Sequence, residues 1–277
     1  MSRYVVAVSG GIDSVSLLDM LTKLPQHELI VAHVDHGIRE SSTHDAHFVS
    51  ELAAKYQLPF EVIRYDLGPD ASEDIARTVR YAFLRSLARK HDAKIVTAHH
   101  ADDVLESIAI NIHRGTGWRG LATHDSGVVR PLLAMHKAAI LNYAQQAGLE
   151  WREDETNQSD RYLRNQIRKH IHTLTPEQKK ELLALRHRQR ATKQVIEAEV
   201  RALVGEGPQY SRYFMTHVPT RVAMECLRHI TEARLTRPQL YRVLHAIKTA
   251  QPGKRYQAGN GVDLRFSTRN FLVSLIK

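Results

Sequence analysis

The sequence predicts an α/β fold: a doubly wound, mainly parallel sheet, then a linker helix and a second, smaller α+β domain. Three observations predict it. Short β-branched runs alternate with helical stretches through the first half of the chain. Those runs do not alternate apolar with polar residues, which suits strands buried on both faces of a parallel sheet. After Thr175 the alternation stops, and one long helical pattern leads to shorter helices and a hairpin signal.

The strand runs are residues 4–8, 29–33, 60–64 and 94–98, with helical patterns at 14–24, 43–56 and 72–91 between them. Ligands of such sheets sit at the carboxyl ends of the strands, so the residues following each run are the candidates. A further helix over 102–114 places Val104, Leu105, Ile108 and Ile112 on one face. Thr175 reads as an N-cap, with Pro176 at the first helical position and Glu177 in the first turn. That helix runs towards Val204, stops at Gly205-Glu-Gly-Pro208, and carries Leu182, Leu185, Ile196, Val200 and Leu203 on one side. The expected divisions are a sheet domain over 1–174, a basic linker helix over 175–208 and a small domain over 209–277. The small domain begins helical at 221–232 and 237–249 and ends in a β-hairpin turning at Asn260-Gly261.

The 277 residues are 43% hydrophobic and 25% charged, ordinary for a globular protein. The N-terminus shows no signal-peptide pattern, and no apolar run is long enough to cross a bilayer. The single cysteine, Cys226, excludes an internal disulfide framework and a CxxC pair, which fits a reducing cytoplasm. The net charge of +9 favours polyanionic partners. Its clustering at 161–169 and in Arg186, Arg188, Arg190 and Lys193 points to nucleic acid.

Val5-Val-Ala-Val8 runs into Ser9-Gly10-Gly11-Ile12-Asp13-Ser14, and a helix follows. Two glycines permit a tight turn that exposes backbone N–H groups, serine hydroxyls add donors, and the helix start adds partial positive charge. The loop is a pyrophosphate cradle without the Gly-Lys-Ser/Thr of a Walker A motif. Asp35 and His36 follow the second strand run, and Thr97-Ala-His-His-Ala-Asp-Asp-Val-Leu-Glu106 follows the fourth. His99, His100, Asp102 and Asp103, with Asp35 and His36, also read as metal ligands, so a metal-dependent phosphohydrolase is an alternative. Beside a phosphate loop, Mg²⁺ on carboxylates is simpler, with Asp13 and Asp35 as its expected ligands. Asp102 and Asp103 also suit a helix cap. His33 lies within a strand run, where a core role and a nucleotide contact are both open. His99 and His100 should diverge, so one of them at most faces the site. Gly115-Thr-Gly-Trp-Arg-Gly120 follows a helix rather than a strand, so a dinucleotide reading fails its context. It is a glycine-rich turn with Arg114 beside it. Tyr81, Trp118 and Trp151 read as core, and Cys226 as inert packing.

The SGGxDS string resembles the signature of the PP-loop (N-type) ATP pyrophosphatases, which split ATP between the α and β phosphates. The ordered set of His33–Arg39, Glu73-Asp-Ile-Ala-Arg77 with Arg80-Tyr81, Thr97–Glu106, Arg114-Gly-Thr-Gly, Arg130-Pro-Leu-Leu133, Asp154-Glu-Thr-Asn157 and Arg164-Asn165 with Arg168 is similar to the tRNA(Ile)-lysidine synthetase family. The likeness is close from Tyr4 to Arg168 and weaker beyond. It implies a ligase that adenylates the C2 oxygen of the wobble cytidine in the CAU anticodon of tRNA(Ile). Free L-lysine then displaces AMP to give lysidine.

The resemblance implies ATP binding by Ser9, Gly10, Gly11, Ile12, Asp13, Ser14 and His33, and a catalytic set of Asp13, Asp35, Asp102, Asp103 and Arg114. It raises His36, Arg77, Arg80, Glu106, Arg164, Asn165 and Arg168 to substrate or tRNA contacts. Arg77 four residues after Glu73 also fits a solvated ion pair, and Arg164 with Arg168 forms one basic helical face suited to RNA phosphates. The chain ends at Lys277, so no additional C-terminal tRNA-binding domain is expected, and a homodimer is expected by analogy. The rivals are a tRNA thiolase, disfavoured by the lone cysteine, and a non-catalytic nucleotide-responsive RNA-binding protein.

Overall fold

The computed structural model describes residues 2–37, 42–68, 73–123, 127–152 and 163–276, with backbone alone at 42, 73, 163–165 and 172. The chain forms two compact units, Met1–Gln189 and Arg190–Lys277. Their division falls inside the long basic helix, so that helix is shared between the units rather than standing as a separate linker.

The first unit runs β1 (Ser2–Ala7), α1 (Ile12–Thr22), β2 (His27–Asp35), α2 (Ser42–Lys55), β3 (Phe60–Arg64), α3 (Glu73–Lys90), β4 (Lys94–Val96) and α4 (Ala101–His113). Then come α5 (Trp118–Leu121), a 3₁₀ turn (Pro131–Ala134), α6 (Lys137–Gln146), α7 (Leu163–His172) and the start of α8 (Pro176–Val204). The four strands are parallel in the order β3-β2-β1-β4. The chain winds outward from β1 through β3, then returns to the other side of β1 for β4. The reversal between β1 and β4 opens a crevice at their carboxyl ends.

Successive residues of β1 face opposite sides. Val5 packs with Ile30, Tyr81, Leu84, Leu87 and Ile95, whereas Val6 packs with Leu17, Leu18, Val31, Val49 and Leu52. Each such side chain contributes about 1.5–3 kcal/mol when removed from water. The strand β3 departs from the expected double burial. It is an edge strand with one neighbour, and its Val62 is exposed. Ile112 is likewise exposed at the end of α4, beyond the stretch where Val104, Leu105 and Ile108 are covered.

Thr175 caps α8 as its residue type requires. Its N–H donates to Gln178 Oε1 at 2.9 Å and its hydroxyl accepts from Gln178 N–H at 3.3 Å. The basic middle of α8 is not all surface, because Arg186 is buried and its Nε donates to the Thr123 carbonyl at 3.1 Å. Leu203 is exposed, and Val204 takes the inward position instead.

The second unit holds the rest of α8, β5 (Gln209–Ser211), α9 (Arg212–His217), α10 (Thr220–Ile230), α11 (Arg237–Thr249), β6 (Arg255–Gly259), β7 (Val262–Phe266) and β8 (Asn270–Leu275). Asn260 and Gly261, at φ +51° and +72°, turn the β6–β7 hairpin. The hairpin belongs to a larger antiparallel sheet, β5-β8-β7-β6. Cys226 is wholly buried in the core of this unit, and burial raises its thiol. No helix among the described residues is long and apolar enough to cross a membrane.

Asp19 ties three helices of the first unit together. It lies on α1 and accepts from Lys23 at that helix's C-cap at 2.8 Å, from Tyr56 after α2 at 2.8 Å and from Tyr143 on α6. Burial alone would raise its carboxyl, but the bonds from Lys23, Tyr143 and Tyr56 outweigh burial and hold it below the ordinary value. A depressed folded-state value contributes stability that is present above about pH 4 and lost as pH falls further. Asp19→Asn should therefore lower stability at pH 7 by about 1–3 kcal/mol. In urea melts the gap to wild type should narrow below about pH 4; an equal gap at every pH would contradict this.

Candidate functional site

The 9–14 loop joins β1 to α1. Gly10 turns the chain at φ +90°, and a Cβ there would meet the Phe48 ring at 3.4 Å and Val49 at 3.6 Å. Its carbonyl accepts from Arg152 N–H at 2.9 Å, fastening the far end of the domain to the loop. The N-cap of α1 is Gly11, which gives no side-chain capping bond. Ser14 instead holds the loop closed: its hydroxyl donates to Gly11 O at 2.9 Å and accepts from Ser9 N–H at 3.1 Å. The helix starts at Ile12, so its first N–H groups have no intrahelical acceptors and stand ready for an anion.

This loop forms one wall of a cavity of about 490 Å³ at the carboxyl ends of β1, β2 and β4. The β2 end supplies His33, Asp35 and His36. The β4 end supplies Thr97 and His99, which bond each other at 2.8 Å. The helix α3 supplies Arg80, Tyr81 and Leu84, and Asp45, Asp103 and Arg152 complete the wall.

The loop's Asp13 sits among charges. Lys137 Nζ donates to it at 2.6 Å, and His100 Nε2 lies 3.8 Å away. The same His100 nitrogen is 3.5 Å from Asp103, whose carboxylate caps α4 by accepting from His100 N–H at 2.9 Å. Burial pushes the Asp103 carboxyl up; His100 and Arg168 oppose the rise and the charge of Asp13 adds to it. Asp102 has a different task. It accepts from Lys137 N–H at 2.7 Å and lies near His136 and His100, anchoring the start of α6 outside the cavity wall. Burial would raise its carboxyl, but these contacts prevail and lower it. Of the two histidines, His99 lines the cavity, while His100 is buried behind the carboxylates.

Asp35 is buried, accepts from Gly37 N–H at 2.9 Å and lies 3.4 Å from Arg64. The structure thus groups Asp13 with Asp103 around one imidazole, where the sequence pointed to Asp13 with Asp35. Among the described residues, no three His, Cys, Asp or Glu side chains form a metal-binding group. His33 is buried, with Nδ1 at 2.8 Å from Val8 O, so it braces β2 against β1 while forming part of the wall. Burial, Arg80 and His33 together lower the pKa of His36.

Arg114 is not brought to the cavity. It is the C-cap of α4 and exposed, about 16 Å along the helix axis from Asp103 at 1.5 Å per residue. The cations near the loop are Lys137 and Arg152, which the sequence reading missed. Lys137 reaches Asp13 across 124 residues, and no local pattern marks it. Arg77 stacks on Tyr81, 4.8 Å from the ring centre, and is not part of the wall. The Glu73 side chain, and so its pairing with Arg77, lies outside the described residues, as do the Arg164 and Asn165 side chains and all of Arg39 and 154–157.

Arg168 is tied to Glu106. Its Nε donates at 2.7 Å to a carboxylate that is almost wholly buried, and its Nη2 donates to the second oxygen at 3.3 Å. Burial pushes Glu106 up, and the pairing with Arg168 only partly offsets it. The pair joins α4 to α7, so Arg168 has a structural duty that its place in a basic cluster did not suggest. Arg168→Ala removes two charge-assisted hydrogen bonds from a buried carboxylate and should cost about 3 kcal/mol. Adding Glu106→Gln should recover much of that loss in thermal melts; a double variant as unstable as the single one would contradict the pairing.

Comparison with known proteins places the geometry in context. The family model described as the PP-loop domain matches residues 1–176. A tRNA(Ile)-lysidine synthase of a Thermotoga species is 41% identical over 188 residues, covering 63% of this chain and 45% of its own. A tRNA(Ile)-lysidine synthase of Thermus thermophilus is 35% identical over 257 residues, covering 87% of this chain and 50% of its own. The chain therefore spans about half the length of these curated relatives. Among solved structures, the U34-tRNA thiolase NcsA from Methanococcus maripaludis aligns with a TM-score of 0.57 at 17% identity, covering 69% of this chain and 72% of that one. That likeness concerns the fold alone.

Proposed function

This chain belongs to the PP-loop domain family, and from that membership we propose that it is an ATP-dependent carbon–nitrogen ligase that makes lysidine. The substrate is the wobble cytidine in the CAU anticodon of tRNA(Ile), the co-substrate is free L-lysine, and the setting is the cytoplasm. The observation that carries the reading is the 9–14 loop facing Asp103 and His99 across a cavity at the sheet's reversal point. The relatives named tRNA(Ile)-lysidine synthase support the choice of acceptor and nucleophile.

In the first step the cytosine C2 oxygen attacks the α-phosphorus of ATP and pyrophosphate leaves. Negative charge grows on the phosphates. The N–H groups at the start of α1, the Ser9 and Ser14 hydroxyls, Lys137 and Arg152 are placed to meet it. Asp13 and Asp103 offer hard oxygen donors around one imidazole, so this pair fits Mg²⁺ together with phosphate oxygens. Bound there, Mg²⁺ supplies charge neutralisation to the phosphates. In the second step the lysine ε-amine attacks C2, the C2–O bond to AMP breaks, and the amine sheds a proton. Asp35 and Asp45 are wall carboxylates outside the Asp13–His100–Asp103 group that can orient the amine and accept that proton. The cytosine must leave its stack to enter the cavity, which a single-stranded anticodon loop permits.

Incubation with ATP, radiolabelled lysine and transcript tRNA(Ile) tests the reading. Lysine should enter the tRNA with matching pyrophosphate release. Pyrophosphate without attached lysine would overturn the choice of nucleophile, and no pyrophosphate would overturn the ligase reading. Lys137→Ala should slow pyrophosphate release about 10²–10³-fold at saturating ATP, the loss expected for one preorganised charge-stabilising group. An unchanged rate would show that Lys137 only partners Asp13.

A further inference from the structure

One part of the cavity wall is left without a task by the steps above. Tyr81 is only 8% exposed, and its hydroxyl has no hydrogen-bond partner among the described residues. His36 Nδ1, on the same wall, is buried and equally unpartnered. Arg80 lines the cavity beside them and has no carboxylate partner among the described residues. Leaving a buried donor or acceptor unpaired is costly, so two such groups beside a guanidinium on one wall point to a ligand that pairs them. The surroundings are cationic. Arg77, Arg80 and Arg85 stand 4.8, 5.8 and 5.8 Å from the centre of the Tyr81 ring. Burial depresses the Arg80 guanidinium and Arg77 adds to the effect, as expected of a cation awaiting its counter-ion.

We propose that Arg80, Tyr81 and His36 form the subsite for the α-carboxylate of the amino-acid co-substrate. The assignment rests on the lysine-ligating reading given above. A guanidinium fork matches a planar carboxylate, and a phenol and an imidazole N–H serve its remaining lone pairs. The start of α1, elsewhere in the same lining, already offers its N–H groups to the phosphates of ATP. An RNA phosphate is excluded by the depth of Tyr81, because a polynucleotide backbone meets surface groups. Holding the α-carboxylate here also settles which amine reacts. The α-amine is kept beside Arg80, and the ε-amine at the free end of the chain reaches towards the 9–14 loop.

The test compares lysine with cadaverine, the same diamine chain without a carboxylate, in the full-length protein with ATP and tRNA(Ile). Steady-state kinetics are measured for wild type, Arg80→Ala and the near-isosteric Tyr81→Phe. Wild type should prefer lysine strongly in kcat/KM. Tyr81→Phe should raise the KM for lysine about 10-fold and leave the KM for ATP unchanged, while Arg80→Ala should reduce the lysine preference roughly 10–100-fold with cadaverine unaffected, as for loss of a charge-assisted hydrogen bond. An unchanged lysine KM in Tyr81→Phe, or equal losses for lysine and cadaverine in Arg80→Ala, overturns the subsite. A rise in the ATP KM in place of the lysine KM overturns it too and gives the wall to the nucleotide. A wild-type protein that attaches no lysine overturns the ligase reading and the subsite together, whereas one that attaches lysine normally confines any failure to the subsite.

Discussion

Gly10 holds the chain at φ +90° between β1 and α1, and the geometry of the cavity in the first unit follows from that turn. The left-handed conformation lets the strand's carboxyl end reverse into a helix start within a few residues. The N–H groups of the first helical turn then point into the crevice that the sheet order creates. A side chain at the position is strained by φ +90° itself, while the Phe48 and Val49 side chains of α2 would stand in ordinary contact with its Cβ. The bond from Arg152 to the Gly10 carbonyl draws a distant segment onto the same turn, so the loop is braced from both sides.

Electrostatics then divide the cavity. At the crevice between β1 and β4, carboxylates gather around His100, and Lys137 offsets only one of them. That arrangement suits a ligand bearing phosphate and its counter-cation. On α3, three guanidiniums surround one phenol, and Arg80 faces the cavity without a carboxylate. The two regions have opposite needs: one gathers negative charge and the other positive. The small second unit has its own core and sheet, built on the faces of α10 and α11.

How legible all this was depends on whether the cause is local. The strand–loop–helix at Ser9–Ser14, the cap at Thr175 and the turn at Asn260-Gly261 are set by neighbouring residues, so the sequence exposes them. Asp13 and Asp103 were both visible as strand-end carboxylates, but their grouping around His100 arises only when β1 and β4 lie side by side. Lys137 had no signal at all, because its partner is brought by tertiary contact alone. Arg168 and Arg186 read as nucleic-acid-facing charge, since a basic run does not reveal that Glu106 or the Thr123 carbonyl waits beneath it. Ile112 and Leu203 failed for a related reason: helical periodicity says which face a residue shares, not where the covering element ends. Arg114 entered the catalytic set through the family resemblance, and the structure puts it at the C-cap of α4, outside the cavity wall. The three-residue β5 and the strand β8 escaped notice because neither carries a turn signal as strong as the hairpin's.

The central claim is that the bound nucleotide is spent on a base oxygen of the tRNA before any amine arrives. The most direct measurement omits lysine. The protein is incubated with ATP and tRNA(Ile), the reaction is quenched, and nuclease fragments are analysed by mass spectrometry for a covalent AMP adduct. The account predicts AMP on the wobble cytidine, lost when that cytidine is replaced by uridine and discharged when lysine is added. An adduct on the lysine carboxylate in the complete reaction, with none ever found on the tRNA, would contradict it.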